Sequence, residues 1–358
     1  MNYAIAFIST LILSVIFTGI VRNFAIKKNL APALRDRDSH KNPTPRIGGV
    51  AIFAAFLVVS LIYFLLVDRQ VYISSVNWLG VDKKLLMIWL GSAVIVLAML
   101  YDDLRGLSAW KKLGFQSIAA LLVIVGGIGV GTLTNPFGPD INLNSWIIPL
   151  GSHHIWVWSD LLAFFWLLGM MNVINFIDGI DGLAAGVSGI AAFIIFTLSL
   201  MVSQSAVAMI AIILCGATFG FLYWNFYPAK IFMGDSGSMF LGFMLGVLPL
   251  LSGGKLATAF LVLGFAIVDG LIVAGARIIK HKNPFTTADK THLHHRFLAA
   301  GFSVPATVLS LYGIAALFGW VALRSTTASK IFASTGLIIL VAALIIILNE
   351  IKKRRKNV

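Results

Sequence analysis

An all-α, polytopic membrane protein is the fold this sequence predicts, and three observations predict it. Hydrophobic residues make up 59% of the 358 residues and charged residues only 11%. A water-facing domain is about a quarter charged, so there is too little polar side chain to coat one. Mean hydropathy is +0.94. The apolar residues also gather into runs of about 20, the length a helix needs to cross roughly 30 Å of hydrocarbon. Eleven runs are legible, at about 3–26, 47–67, 85–101, 113–131, 158–177, 183–203, 206–226, 237–251, 257–279, 304–323 and 331–350. The longest loop, about 132–157, leaves no room for a soluble domain. The chain therefore reads as one membrane domain over 1–358 with a basic tail at 352–358.

Each run has its own punctuation. The first has no basic segment ahead of it and no small-residue cleavage site, so it reads as a retained span rather than a secretion signal. Before the second lies a strap, Asp36-Arg37-Asp38-Ser39-His40-Lys41-Asn42-Pro43-Thr44-Pro45-Arg46-Ile47-Gly48-Gly49. Its two prolines hold it extended, its glycine pair opens the span, and Lys41 and Arg46 suit a lipid phosphate at the membrane surface. The third run ends at Asp102-Asp103. These read either as solvated interface carboxylates or as a divalent-cation site completed by phosphate oxygens.

The fifth run passes into Asn172-Val-Ile-Asn175-Phe-Ile-Asp178-Gly179-Ile-Asp181-Gly182. Spacing by threes keeps Asn172, Asn175 and Asp178 on one drifting stripe, and the glycines let the helix end and the backbone approach a ligand. The seventh ends at Asn225, and Phe232-Met-Gly234-Asp235-Ser236-Gly237 opens the short eighth, as an ordinary N-cap or as a phosphate seat. Asp269 lies inside the ninth, as a helix–helix hydrogen bond or a remote cavity residue. His292-Leu293-His294-His295-Arg296 follows it. That segment lacks the i, i+4 spacing of a zinc helix, and Cys215 is the chain's single cysteine, so imidazoles and Arg296 read as phosphate donors. His153 and His154 in the long loop read as incidental.

Lys and Arg fall unevenly between alternate loops. One set, with the tail, holds 20 and the other 6, with Arg22 inside the first span. Basic loops stay cytoplasmic, which puts the N-terminus outside and the C-terminus inside. Lys352–Lys356 then reads as a stop-transfer and anionic-lipid anchor. The polar motifs all fall on the cytoplasmic side, as one shared site requires. A transporter of anionic lipid or nucleotide sugar is the competing class, but such proteins show internal repeats and midplane sites, and no repeat is visible here.

Taken together, the motifs resemble those of the polyprenyl-phosphate N-acetylhexosamine-1-phosphate transferases, glycosyltransferase family 4. The likeness runs from His40–Gly49 to the His segment at 292–296. The muramyl-pentapeptide branch carries three consecutive histidines followed one residue later by Glu; this chain has His292-Leu293-His294-His295-Arg296. It is similar instead to the branch that begins O-antigen, common-antigen or teichoic-acid linkage units of the bacterial surface.

The resemblance implies transfer of GlcNAc-1-phosphate from UDP-GlcNAc to undecaprenyl phosphate at the cytoplasmic face of the bacterial membrane, with UMP released. Donors of FucNAc, QuiNAc or GalNAc type would use the same residues. It also implies Mg2+, with Mn2+ as a substitute. Asp235 would be the best direct metal ligand, with Asp178 as a further metal residue and Asn175 beside them, in or near the coordination and diphosphate shell. Asp102 and Asp103 would orient or deprotonate the lipid phosphate or help hold the ion, and His292, His294, His295 and Arg296 would contact the diphosphate. Phe232 would stack on uracil with Asp181 and Asn225 on the nucleoside side, Asn172 would extend the motif, and Lys41, Arg46 and Lys111 would offset phosphate charge. The implied partners are the UDP-sugar, the polyprenyl phosphate and the bilayer, with no nucleic acid; a homodimer is admitted.

Overall fold

The computed structural model describes residues 2–30, 44–67, 77–78, 81–135, 137–150, 153–279 and 291–356. They form a bundle of α1 (Tyr3–Lys27), α2 (Gly49–Ile62, extended by a π turn at Tyr63–Val67), α3 (Lys83–Arg105), α4 (Ala109–Val125), α5 (Val157–Ile177) and α6 (Leu183–Met201). It continues with α7 (Ser205–Asn225), α8 (Gly234–Leu251), α9 (Leu256–Ile279), α10 (Leu293–Ala299), α11 (Val304–Arg324) and α12 (Thr327–Lys356). Antiparallel strand pairs occupy loops only: β1 (Asn77–Trp78) with β2 (Val81–Asp82), β3 (Thr132–Leu133) with β4 (Ile141–Asn142), and β5 (Ile147–Leu150) with β6 (His153–Trp156).

Among the described residues, ten helices are long and apolar enough to cross a membrane. The expected fourth span differs. Its helix, α4, begins earlier than the apolar run and has 17 residues, about 25 Å at 1.5 Å per residue. The chain leaves that helix at Gly126 and Gly127, the latter with φ 78°. The basic stretch from Lys352 is helical, as the last turns of α12, to Lys356.

Packing follows from small residues, because lipid offers no hydrophobic force between helices. α1 turns Ala6, Thr10, Ser14 and Thr18 inward. Thr10 and Thr18 donate to carbonyls one turn back, and Ser14 donates across to Ala217 of α7 at 2.6 Å. Gly216 and Gly220 of α7 allow that approach: a Cβ at Gly220 would lie 2.4 Å from the Leu11 carbonyl. α8 sits at the centre, against α2, α3, α5, α6, α7 and α9, and is buried from Ser236 through Leu250. A Cβ at its Gly242 would come within 2.6 Å of the Met170 carbonyl of α5. The C-terminal ends of α3 and α5 thereby meet the N-terminal ends of α2 and α8 at one end of the bundle.

Candidate active site

The strap and the start of α8 build each other. Phe232 donates its N–H to the Pro45 carbonyl, and Gly48 and Gly49 donate theirs to Phe232 and Met233, at 2.8–3.0 Å. Glycine is required at this crossing, since a Cβ at Gly49 would lie 2.1 Å from the Gly237 nitrogen. Gly234 has φ 70°, and a Cβ there would lie 2.0 Å from the Arg46 carbonyl. The Arg46 guanidinium lies over the Phe232 ring, 5.9 Å from its centroid.

Asp103 caps α8 from another helix. One carboxylate oxygen accepts the Asp235 N–H at 2.8 Å; the other accepts the Ser236 N–H at 3.1 Å and its hydroxyl at 2.7 Å. These donors are among those that a helix start leaves without an internal partner. The capped turn aims Asp235 at Asp102, and the three carboxylates place an oxygen each within 4.8 Å of one another. Asn175 donates to Asp235 at 3.1 Å and to Ser238 at 2.9 Å, which fixes the carboxylate's rotation. Between Asp102 and Asp235 lies the Lys112 ammonium, 2.5 Å from the first and 2.6 Å from the second. A donor set of hard oxygens at a spot that already draws a cation fits a divalent ion of magnesium type. Such an ion would take its remaining ligands from phosphates and water.

Asp178 follows α5 and lies outside that trio. Burial pushes its carboxyl well above the usual carboxylate range; the charges of Asp235 and Asp103 add to the shift and Arg46 opposes it. Beyond it, a Cβ at Gly179 would lie 2.3 Å from Nε2 of His294, so glycine lets the imidazole rest on the end of α5. That Nε2 is buried with no hydrogen-bond partner. Burial also pulls the His294 ring well below the usual imidazole range, aided by His295 and His292, so it is neutral at physiological pH. His292 and His294 stack in parallel at 6.0 Å, His295 lies 4.2 Å from His294, and Phe176 stacks on His292 at 5.5 Å.

The trio of carboxylates and Asn175 thus come together, with Arg46, Phe232, Asp178 and the histidines around them. Other expected site residues have structural partners. Asn172 donates to the Leu168 carbonyl and to Gln116. Asp181 accepts the Ala229 N–H, and Asn225 spans Gly182 and Ile231, so both shape the loop behind the site. Arg296 bonds Thr291 and Asn349 of α12. Lys111 is exposed, and Lys41 lies outside the described residues. Sequence reasoning left Lys112 out of the site. The signal was helical phase, since Lys112 lies one turn before the buried Gln116 on the face that continues to Ala119, Ala120 and Val123.

The family model for glycosyl transferase family 4 matches residues 85–253. The chain is 32% identical over 323 residues to the probable undecaprenyl-phosphate N-acetylglucosaminyl 1-phosphate transferase of Bacillus subtilis strain 168, spanning 88% of this chain and 82% of that protein. It is 30% identical over 334 residues to the decaprenyl-phosphate N-acetylglucosaminephosphotransferase of Mycolicibacterium smegmatis, spanning 86% and 78%. It is 28% identical over 327 residues to the phospho-N-acetylmuramoyl-pentapeptide-transferase of Halalkalibacterium halodurans, spanning 89% and 94%.

Proposed function

We propose a function from one premise: the chain belongs to glycosyl transferase family 4. The protein transfers N-acetylglucosamine-1-phosphate from UDP-GlcNAc to undecaprenyl phosphate. A phosphate oxygen of the lipid attacks the β-phosphorus of the nucleotide sugar, the bond to the α-phosphate oxygen breaks, and UMP leaves with the electron pair. The observation that carries this reading is the trio Asp102, Asp103 and Asp235 beside Lys112, where α3, α4, α5, α8 and the strap that leads into α2 converge. Mg2+, or Mn2+ in its place, bound there supplies charge neutralisation on the diphosphate.

The chain's own groups supply the rest. Asp103 holds the start of α8, Asn175 holds Asp235, and Lys112 offsets the charge of two anions brought together. Asp102 faces the lipid phosphate, Arg46 and Phe232 take the nucleotide, and the histidines face the diphosphate. Because the acceptor is already an anionic oxygen, transfer is a single displacement. Exchange of labelled UMP into UDP-GlcNAc should require the lipid, and robust lipid-free exchange would point to a covalent intermediate instead.

The missing muramyl histidine-and-Glu pattern and the names of the relatives at 30% identity and above support the GlcNAc donor. Detergent-purified protein with undecaprenyl phosphate should prefer UDP-GlcNAc in a panel of UDP-N-acetylhexosamines and refuse UDP-MurNAc-pentapeptide. Efficient use of the pentapeptide donor defeats the assignment. The 20-to-6 basic bias supports a site that faces the cytoplasm, and the reading sets it in the bacterial cytoplasmic membrane, where the product begins a surface polysaccharide. A C-terminal alkaline phosphatase fusion should then be inactive, and an active one would reverse the orientation.

A further inference from the structure

Asp269 lies on α9, well away from the carboxylate trio in sequence, and is 2% exposed. A carboxylate buried in a membrane helix needs partners, and it has two on one segment. One oxygen lies 2.9 Å from Nδ1 of His292, and the other accepts at 3.0 Å the N–H of Leu293, the residue that opens α10. A carboxylate oxygen accepts, so in this pairing the proton sits on Nδ1 of His292, and Nε2 is the ring nitrogen turned away from Asp269.

The second bond sets where α10 starts. His294, the second residue of α10, is thereby laid on Gly179, next in sequence to Asp178, with Nε2 unpartnered. Phe176 of α5 closes the other face of His292. The far end of the short helix is tied separately, by Arg296 to Asn349 of α12. Asp269 therefore ties both the His292 ring and the start of α10 to α9.

We propose that Asp269 is a positioning residue for the transfer reaction, acting through His292 by fixing its tautomer and by docking the histidine segment on the end of α5. The proposal rests on the transferase reading for its kinetic test, and has a readout independent of it. Asp269→Asn is the informative variant. Its amide oxygen still accepts the Leu293 N–H, while its N–H₂ donates to Nδ1 and forces the His292 proton onto Nε2. The fold is kept and the tautomer reversed.

With the full-length protein in detergent, Asp269→Asn should lower kcat about a hundredfold, the upper end of what loss of a supporting outer partner costs. KM for UDP-GlcNAc should change less than about threefold and the melting temperature little, because the loss is felt in the transition state. In a His292→Ala background, Asp269→Asn should cost less than about twofold more, since the two act as a unit. A wild-type kcat in Asp269→Asn, or penalties that multiply in the double variant, would overturn the proposal. Nitrogen-15 spectra of histidine-labelled protein at alkaline pH, assigned with His292→Gln, give the second readout. His292 should carry its proton on Nδ1 in the wild type and on Nε2 in Asp269→Asn. A wild-type ring protonated on Nε2 contradicts the proposal whether or not any transfer is seen. Absence of transfer by the wild-type protein would instead count against the transferase reading.

Discussion

Adjacent residues in this site do different work. Lys112 reaches Asp102 and Asp235, whereas Lys111 lines an open groove of about 520 Å³ with Tyr101, Phe115 and Ile118. Lys112→Met should lower turnover about a hundredfold, as for other fixed charges near a developing anion, and Lys111→Met should stay within about twofold. Equal effects would remove Lys112 from the site. The aspartate pair divides in the same way, because consecutive helical residues point about 100° apart. Asp103 faces α8 and Asp102 faces α4, and adjacency in sequence cannot say which faces which.

Asp178 carries a pH signature. Folding raises its proton affinity, so its protonation stabilises the fold, and that contribution is lost as pH rises through the folded value. Metal-free Asp178→Asn should therefore melt about 2 °C or more above the metal-free parent at pH 8. The gap should close toward pH 5, and a gap that does not change with pH contradicts the raised carboxyl.

At the scale of elements, close approach is the organising device. Gly49→Ala forces α2 from the start of α8, where a Cβ has 2.1 Å of room, and should cost about 1–3 kcal/mol with loss of activity. Gly114→Ala in α4 meets nothing within 4 Å and should be neutral or stabilising by up to about 1 kcal/mol. Thermal melts of the two variants compare them; equal stability would mean that the crossing tolerates separation. The strap frame Pro45-Arg46-Ile47-Gly48-Gly49 was visible in the sequence, but its partners at Phe232 and Met233 were not, since a backbone pairing between residues so far apart in sequence leaves no local pattern. Asp269 was visible as a misplaced carboxylate, and its alternatives could be separated only by knowing that His292 folds back onto α9. The apolar runs were legible because lipid leaves a spanning chain no choice but internally bonded helix. The end of α4 was less so, since Gly126-Gly127 sits inside the apolar run and stops the helix there.

At the scale of the molecule, the carboxylate trio, Asn175 and Lys112 gather at one end of an apolar bundle, and α8, buried from Ser236 through Leu250, brings Asp235 there. That arrangement makes phosphoryl transfer, rather than sugar transfer or hydrolysis, the central claim. The direct measurement is the fate of label in UDP-GlcNAc carrying ³²P at the β-phosphate, supplied with undecaprenyl phosphate and magnesium to the purified protein. The β-phosphorus should move with the sugar into chloroform-soluble lipid while UMP is released unlabelled, and Asp235→Asn should reduce that transfer by about a hundredfold or more. Label that remains in a uridine nucleotide, or that reaches the lipid equally well through Asp235→Asn, would contradict it.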